Sequence, residues 1–123
     1  MNARLQRNKE ILEDLAKSLQ NNHFELYYQP LFRIDNKVLV GAEALIRWHH
    51  PEKGMIPPDV FISIAEQSGF INELGDWVLA AACKQVKIFL QAGILGFRIA
   101  INISPVQFRR NNFVQRMLDI LKE

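Results

Sequence analysis

The run Val38-Leu39-Val40-Gly41-Ala42-Glu43-Ala44-Leu45-Ile46-Arg47-Trp48 decides the fold class. Val38, Val40, Ala42, Ala44, Ile46 and Trp48 alternate with Leu39, Gly41, Glu43, Leu45 and Arg47, a period of two that predicts a β-strand. Upstream, Phe24 to Leu31 has the same period: Phe24, Leu26 and Tyr28 face one way, Glu25, Tyr27 and Gln29 the other. Pro30 restricts that strand to an edge, an end or a bulge. Only Phe32 to Lys37, with the turn pair Asp35-Asn36, joins the two runs. A parallel crossover needs a dozen or more residues, so the two strands are expected to be antiparallel.

Beyond Trp48 the pattern changes. His49 to Pro58 holds Pro51, Gly54, Pro57 and Pro58 and reads as a loop, after which Pro58 can open a helix with Asp59 in its first turn. Val60, Phe61, Ile64 and Ala65 give that helix an apolar face, and Gly69 is its expected stop. A longer helix is predicted from about Asn72 to Ala92, ending at Gly93, with Leu74, Trp77, Val78, Ala81, Val86 and Phe89 inward. Phe97 to Ser104 alternates again and predicts a third strand. The helical crossover before it makes that strand parallel to the second. At the ends of the chain, Leu5, Leu12, Leu15, Ala16 and Leu19 mark an amphipathic helix over Arg4 to Asn21. Phe113, Val114, Met117, Leu118 and Leu121 mark a last helix capped by Asn112. The class is α/β.

Composition narrows the function. The chain has 123 residues, 49% hydrophobic and 23% charged, which is ordinary for a globular protein and enough for one domain. By length alone it falls short of a complete (β/α)₈ barrel, which usually needs about 250 residues. Fifteen basic against thirteen acidic residues give a formal charge of +2, dispersed along the chain, which gives no support to nucleic-acid binding. Arg109-Arg110, the one tight basic pair, reads as a solvated loop, with phosphate contact as the alternative. A single Cys83 allows no intrachain disulfide and suits a reducing, cytoplasmic compartment. The longest apolar region, Trp77 to Phe97, is interrupted by Lys84, Lys87 and Gln91, so direct membrane insertion is not expected. The charged N-terminus has no apolar leader core. Tethering through a flanking region remains compatible with this sequence.

Glu43 is the residue with the clearest chemical signal. A carboxylate inside a strand of small and aliphatic residues is disfavoured unless it is paired, bound to a metal, or on a solvated face. Arg47 shares that face but lies about 13 Å along the strand, too far for direct pairing. Asn102 and Ser104 fall at the carboxyl end of the third strand, where parallel sheets place ligand sites. An Asn before Ser-Pro is also a common turn cap. His49-His50 suggests a metal, but adjacent histidines project apart and no cysteine or third nearby histidine completes a tetrahedral set. There is no Gly-rich phosphate loop and no Ser-His-Asp constellation.

These motifs in order, Tyr28-Gln29-Pro30, Gly41 to Trp48, His50-Pro51, Gly54, Pro57-Pro58, Phe61-Ile62, Ala65-Glu66, Gly69, Gly75 to Leu79 and Asn102-Ile103-Ser104, resemble the N-terminal part of an EAL domain. That family comprises bacterial cyclic-di-GMP phosphodiesterases and takes its name from the triplet present here as Glu43-Ala44-Leu45. The resemblance implies a partial TIM-like (β/α)₈ barrel, first strand antiparallel, with about three strands and their helices present. It divides the chain into residues 1–22, a linker or first helix, and 23–123, the N-terminal part of the domain. It also implies metal binding by Glu43 and Asn102, and substrate contacts from Gln29, Leu45 and Arg47. The implied cofactor is Mg²⁺ or Mn²⁺, and the implied reaction is hydrolysis of cyclic-di-GMP to linear pGpG. Two hard cations with oxygen ligands suit that chemistry.

The family's later motifs, including an Asp-Asp pair, a catalytic Lys and further Glu residues, are absent from these 123 residues. No catalytic set is complete, so weak metal binding and no hydrolysis are expected of this chain alone. The alternative is a truncated, non-catalytic module that regulates signalling or associates through the open barrel edge, with a partner or a second copy.

Overall fold

The two alternating runs form the long strands of the sheet, β1 (Phe24–Phe32) and β2 (Leu39–His50). The computed structural model describes residues 3–109 and 112–122. Arg110 and Asn111 lie outside the described residues, as does the side chain of Phe113, and with them half of the Arg109-Arg110 pair and part of the last helix's apolar face. β1 and β2 are antiparallel, with Phe24 opposite Trp48, Gln29 opposite Glu43 and Pro30 opposite Ala42. Among the described ladders β1 pairs with β2 alone, the edge position that suits Pro30. The connection closes through Asn36, whose side-chain oxygen accepts from Val38 N–H at 3.0 Å.

One sequence expectation fails in detail. His49 to Pro58 is not wholly loop: β2 continues to His50, the chain turns at residues 51–53, and β3 (Gly54–Ile56) pairs back antiparallel, Trp48 opposite Ile56. Gly54 sits at φ 71°, in the left-handed region glycine tolerates.

The helices follow their capping residues. The first, α1 (Ala3–Gln20), precedes the sheet, and α2 (Pro58–Ser68) opens on Pro58 and closes on Gly69 at φ 85°. α3 (Ile71–Gln91) leads to β4 (Arg98–Ala100), which pairs parallel with β2 through Gly41 to Glu43. The third strand is thus shorter than the alternation over Phe97 to Ser104 suggests. The next residues leave the ladder for a one-turn helix, α4 (Pro105–Phe108), and the described chain closes with α5 (Phe113–Lys122).

The alternation divides the sheet into two faces. Ala42, Ala44, Trp48 and His50 are buried beneath the helices, while Glu43, Leu45, Arg47 and His49 face the other way and are half-buried. On the helix side, Trp48 stacks on Phe24 with centroids 5.4 Å apart and meets Phe61 edge-on at 5.5 Å. Ile11 and Leu15 of α1 and Leu74 of α3 complete this core. A partly buried pair ties α1 to the sheet: Nε2 of the buried His50 lies 2.7 Å from Asp14 Oδ2. Its Nδ1 accepts the backbone N–H groups of Glu52 and Lys53, which places the ring proton on Nε2, donated to Asp14.

Candidate functional site

The strand period and register together assemble the site. Glu43 and Arg47 share the half-buried face of β2 with Leu45 between them, and on β1 Gln29 lies directly opposite Glu43, Tyr27 opposite Leu45. From the other side β4 brings Ala100 opposite Glu43. Two residues further on, Asn102 Nδ2 lies 3.4 Å from Glu43 Oε2, although 59 positions separate the two in sequence. The parallel pairing expected from the crossover is what places them together.

Arg47 stands apart from this pair. Its guanidinium lies over the Tyr27 ring, 5.5 Å from the centroid, and Nη1 donates to Ile46 O at 2.9 Å. Tyr27, not singled out from sequence, thereby becomes the platform that holds Arg47. Its signal was its position on the same strand face as Gln29. Ser104, a sequence candidate, takes a different role: it caps α4, accepting from Val106 N–H, and donates to Glu66 Oε2 at 2.6 Å.

The histidine pair divides between faces. His49 Nε2 is 3.1 Å from Glu25 Oε1, while His50 is committed to Asp14. Among the described residues no group of three or more His, Cys, Asp or Glu side chains is placed to hold a metal ion. The donor chemistry of Glu43 and Asn102 nevertheless fits a hard cation. A carboxylate and an amide carbonyl are both oxygen donors, and neighbouring ligands of an octahedral Mg²⁺ at 2.0–2.1 Å lie about 3 Å apart. The 3.4 Å separation is near that value. A half-turn of the Asn102 amide presents its oxygen in place of its nitrogen. A cavity of about 170 Å³ adjoins the site on the helix side: Leu45, Arg47 and Asn102 line it together with apolar side chains such as Leu74, Val78 and Met117.

Comparison with known proteins agrees with this arrangement. The family model described as EAL domain matches residues 12–123. The bifunctional diguanylate cyclase/cyclic di-GMP phosphodiesterase MucR of Pseudomonas aeruginosa is 38% identical over 121 residues, covering 98% of this chain and 18% of that protein. The cyclic di-GMP phosphodiesterase NbdA of the same organism is 35% identical over 111 residues, covering 90% of this chain and 14% of that protein. Among solved structures, the P. aeruginosa MucR phosphodiesterase in complex with c-di-GMP superposes with a TM-score of 0.87 at 37% identity, over 92% of this chain and 46% of that one. The Xanthomonas citri FimX EAL domain in complex with c-diGMP gives 0.79 at 26%, over 98% and 46%. The chain thus spans less than a fifth of these curated relatives and about half of these solved domains. With its motifs, strand order and matched length in agreement, the chain belongs to the EAL domain family.

Proposed function

We propose that this chain supplies the Glu43 and Asn102 part of a cyclic-di-GMP phosphodiesterase site, hydrolysing the cyclic dinucleotide to linear pGpG when the whole domain is assembled. The observation that carries the reading is the approach of Asn102, just past the end of the β2–β4 ladder, to within 3.4 Å of Glu43. EAL phosphodiesterases depend on divalent metal, and Mg²⁺ or Mn²⁺ suits this oxygen pair. When bound, such cations offset phosphate charge and lower the pKa of water. Glu43 and Asn102 hold the cation. Arg47, fixed over Tyr27, offers a planar fork to a substrate phosphate, Gln29 an amide beside Glu43, and Leu45 an apolar contact between the polar positions. Turnover belongs to the whole domain, of which this chain spans about half in the solved examples.

Within residues 1–22, α1 serves as the first helix of the domain, a reading supported by the burial of Ile11 and Leu15 in the common core, and residues 23–123 form its N-terminal part. No described helix is long and apolar enough to cross a membrane. The free Cys83 and a nucleotide signalling substrate favour the cytoplasm.

Titration calorimetry with cyclic-di-GMP, with and without Mn²⁺, tests the reading, followed by chromatography for pGpG. Divalent-dependent binding that weakens tenfold or more in Arg47→Ala is expected, because a charged phosphate contact contributes about 1.5–3 kcal/mol. Binding indifferent to metal and to Arg47 overturns it. A second reading, association through the outer edge of β4, draws on the fact that among the described ladders β4 pairs with β2 alone. A strictly monomeric species by light scattering rejects that reading.

A further inference from the structure

Asn102 sits outside the sheet that positions Glu43. The last β2–β4 pair is Glu43 with Ala100, so no ladder bond fixes the chain at residue 102. What grips the segment on its far side is Ser104. Its backbone N–H donates to Gln107 Oε1 at 3.0 Å, its Oγ accepts from Val106 N–H at 3.2 Å, and its hydroxyl proton goes to Glu66 Oε2 at 2.6 Å. Gln107 is buried, and its amide fills the space that a Cβ on Gly75 would occupy. Ser104 is thus held by α2 directly and by α3 through Gln107.

Glu66 is an unexpected residue for its place. It stands in the last turn of α2, where the helix dipole disfavours an anion, and it is half-buried, which adds a desolvation cost. The short charge-assisted bond to Ser104 offsets both. It also sets direction. Because Oγ already accepts from Val106, Glu66 orients the hydroxyl proton and locks the rotor at the foot of the Asn102 segment.

We propose that Glu66 is a positioning residue for Asn102: through Ser104 it fixes the segment between β4 and α4 so that the Asn102 amide meets Glu43 at a spacing suited to a shared divalent cation. The inference rests on the reading of Glu43 and Asn102 as the metal-binding pair. Outer partners of metal ligands commonly contribute 10–100-fold in affinity by fixing ligand orientation. Glu66 acts one step further out, through the backbone, and without it Asn102 samples positions away from Glu43.

The test is a titration of the chain with Mn²⁺, reading the free aquo ion by electron paramagnetic resonance, with melting temperatures recorded in parallel. The variants are Asn102→Ala, Glu66→Ala, Glu66→Gln and Ser104→Ala. Glu66→Ala and Ser104→Ala are expected to weaken Mn²⁺ binding about tenfold or more, while Glu66→Gln, which keeps an acceptor for the hydroxyl, stays within about threefold of the parent. A purely structural role lowers the melting temperature and leaves the affinity of the folded protein unchanged. If Asn102→Ala loses binding while Glu66→Ala keeps the parent affinity, the proposal is overturned and the metal reading stands. If Asn102→Ala binds like the parent, both are overturned. Should Glu66→Ala not fold, Ser104→Ala decides: unchanged Mn²⁺ affinity there overturns the proposal.

Discussion

Replacing Gly41 by alanine strikes the contact on which the site depends. Gly41 has an ordinary backbone conformation, so alanine strains no dihedral angle and in open space would stabilise the protein by about 0.4–1 kcal/mol. Here the space is closed. A Cβ at Gly41 overlaps the carbonyl oxygen of Arg98 and comes within 3.0 Å of its carbonyl carbon, and both are backbone atoms that cannot rotate away. Relief requires β2 and β4 to part by about an ångström, because the overlap with the Arg98 oxygen, the tighter of the two, sets the displacement. β4 is three residues long and pairs with β2 at Gly41, Ala42 and Glu43, so the displacement reaches Ala100 and, two residues on, Asn102. Overpacking of this kind costs about 1–3 kcal/mol. For a domain of this size that lowers the melting temperature by about 4–12 °C. Calorimetry measures the shift, and Mn²⁺ titration should show binding weakened about tenfold as the Glu43–Asn102 approach loosens. A variant that melts within about 1 °C of the parent and binds Mn²⁺ equally well refutes the close β2–β4 packing on which the site's geometry rests.

Further expectations concern the core, the α1 attachment and the thiol. Trp48→Ala, which removes a fully buried indole stacked on Phe24, should cost about 3–5 kcal/mol by urea denaturation. Trp48→Phe should cost less, because the indole N–H has no partner among the described residues; equal losses would contradict this. Asp14→Ala leaves the buried His50 Nε2–H without its acceptor and should cost about 1–3 kcal/mol, with faster amide exchange in α1. Asp14→Asn, which keeps an acceptor, should recover much of the loss; an Asp14→Ala variant as stable as the parent denies the attachment. Burial raises the Cys83 thiol above its ordinary value of 9.0. An acid with a raised folded value adds stability that is complete below the unfolded pKa and lost as pH rises through the folded one. Alkylation of Cys83 should therefore begin at higher pH than that of a model thiol, and equal pH profiles contradict the shift.

Much of this arrangement was legible because local rules act over short distances. The six residues from Phe32 to Lys37 are too few for a crossover, and β1 and β2 are antiparallel. Pro58 and Gly69 bound α2 through φ preferences that hold in any context. The period-two run of β2 puts Glu43 and Arg47 on one face and the strand-end rule places Asn102 nearby, whereas Gln29 comes beside Glu43 only through the β1–β2 register. β3 was missed because three residues carry no periodicity, and its pairing depends on the turn at residues 51–53 bringing Ile56 back to Trp48. α4 carries a readable signal, the Ser104-Pro105-Val106-Gln107 capping box, but the alternation over Phe97 to Ser104 runs a strand pattern up to its cap. The bonds of Asp14 to His50 and of Glu66 to Ser104 span 36 and 38 residues. No local pattern encodes such pairs, because they exist only once helices are packed against the sheet. Tyr27 beneath Arg47 is of the same kind, a diagonal contact set by side-chain direction as well as by register.

Glu43 and Asn102 are proposed to form one cation-binding pair. Adding substoichiometric Mn²⁺ to isotope-labelled protein and following nuclear magnetic resonance line broadening tests it most directly. The Asn102 side-chain amide and the backbone signals of Glu43 and Ala100 are expected to broaden first, and Glu43→Ala to abolish the effect. Broadening centred instead on Glu10 and Asp14, the carboxylates beside Lys53, or spread evenly over the chain, would contradict it.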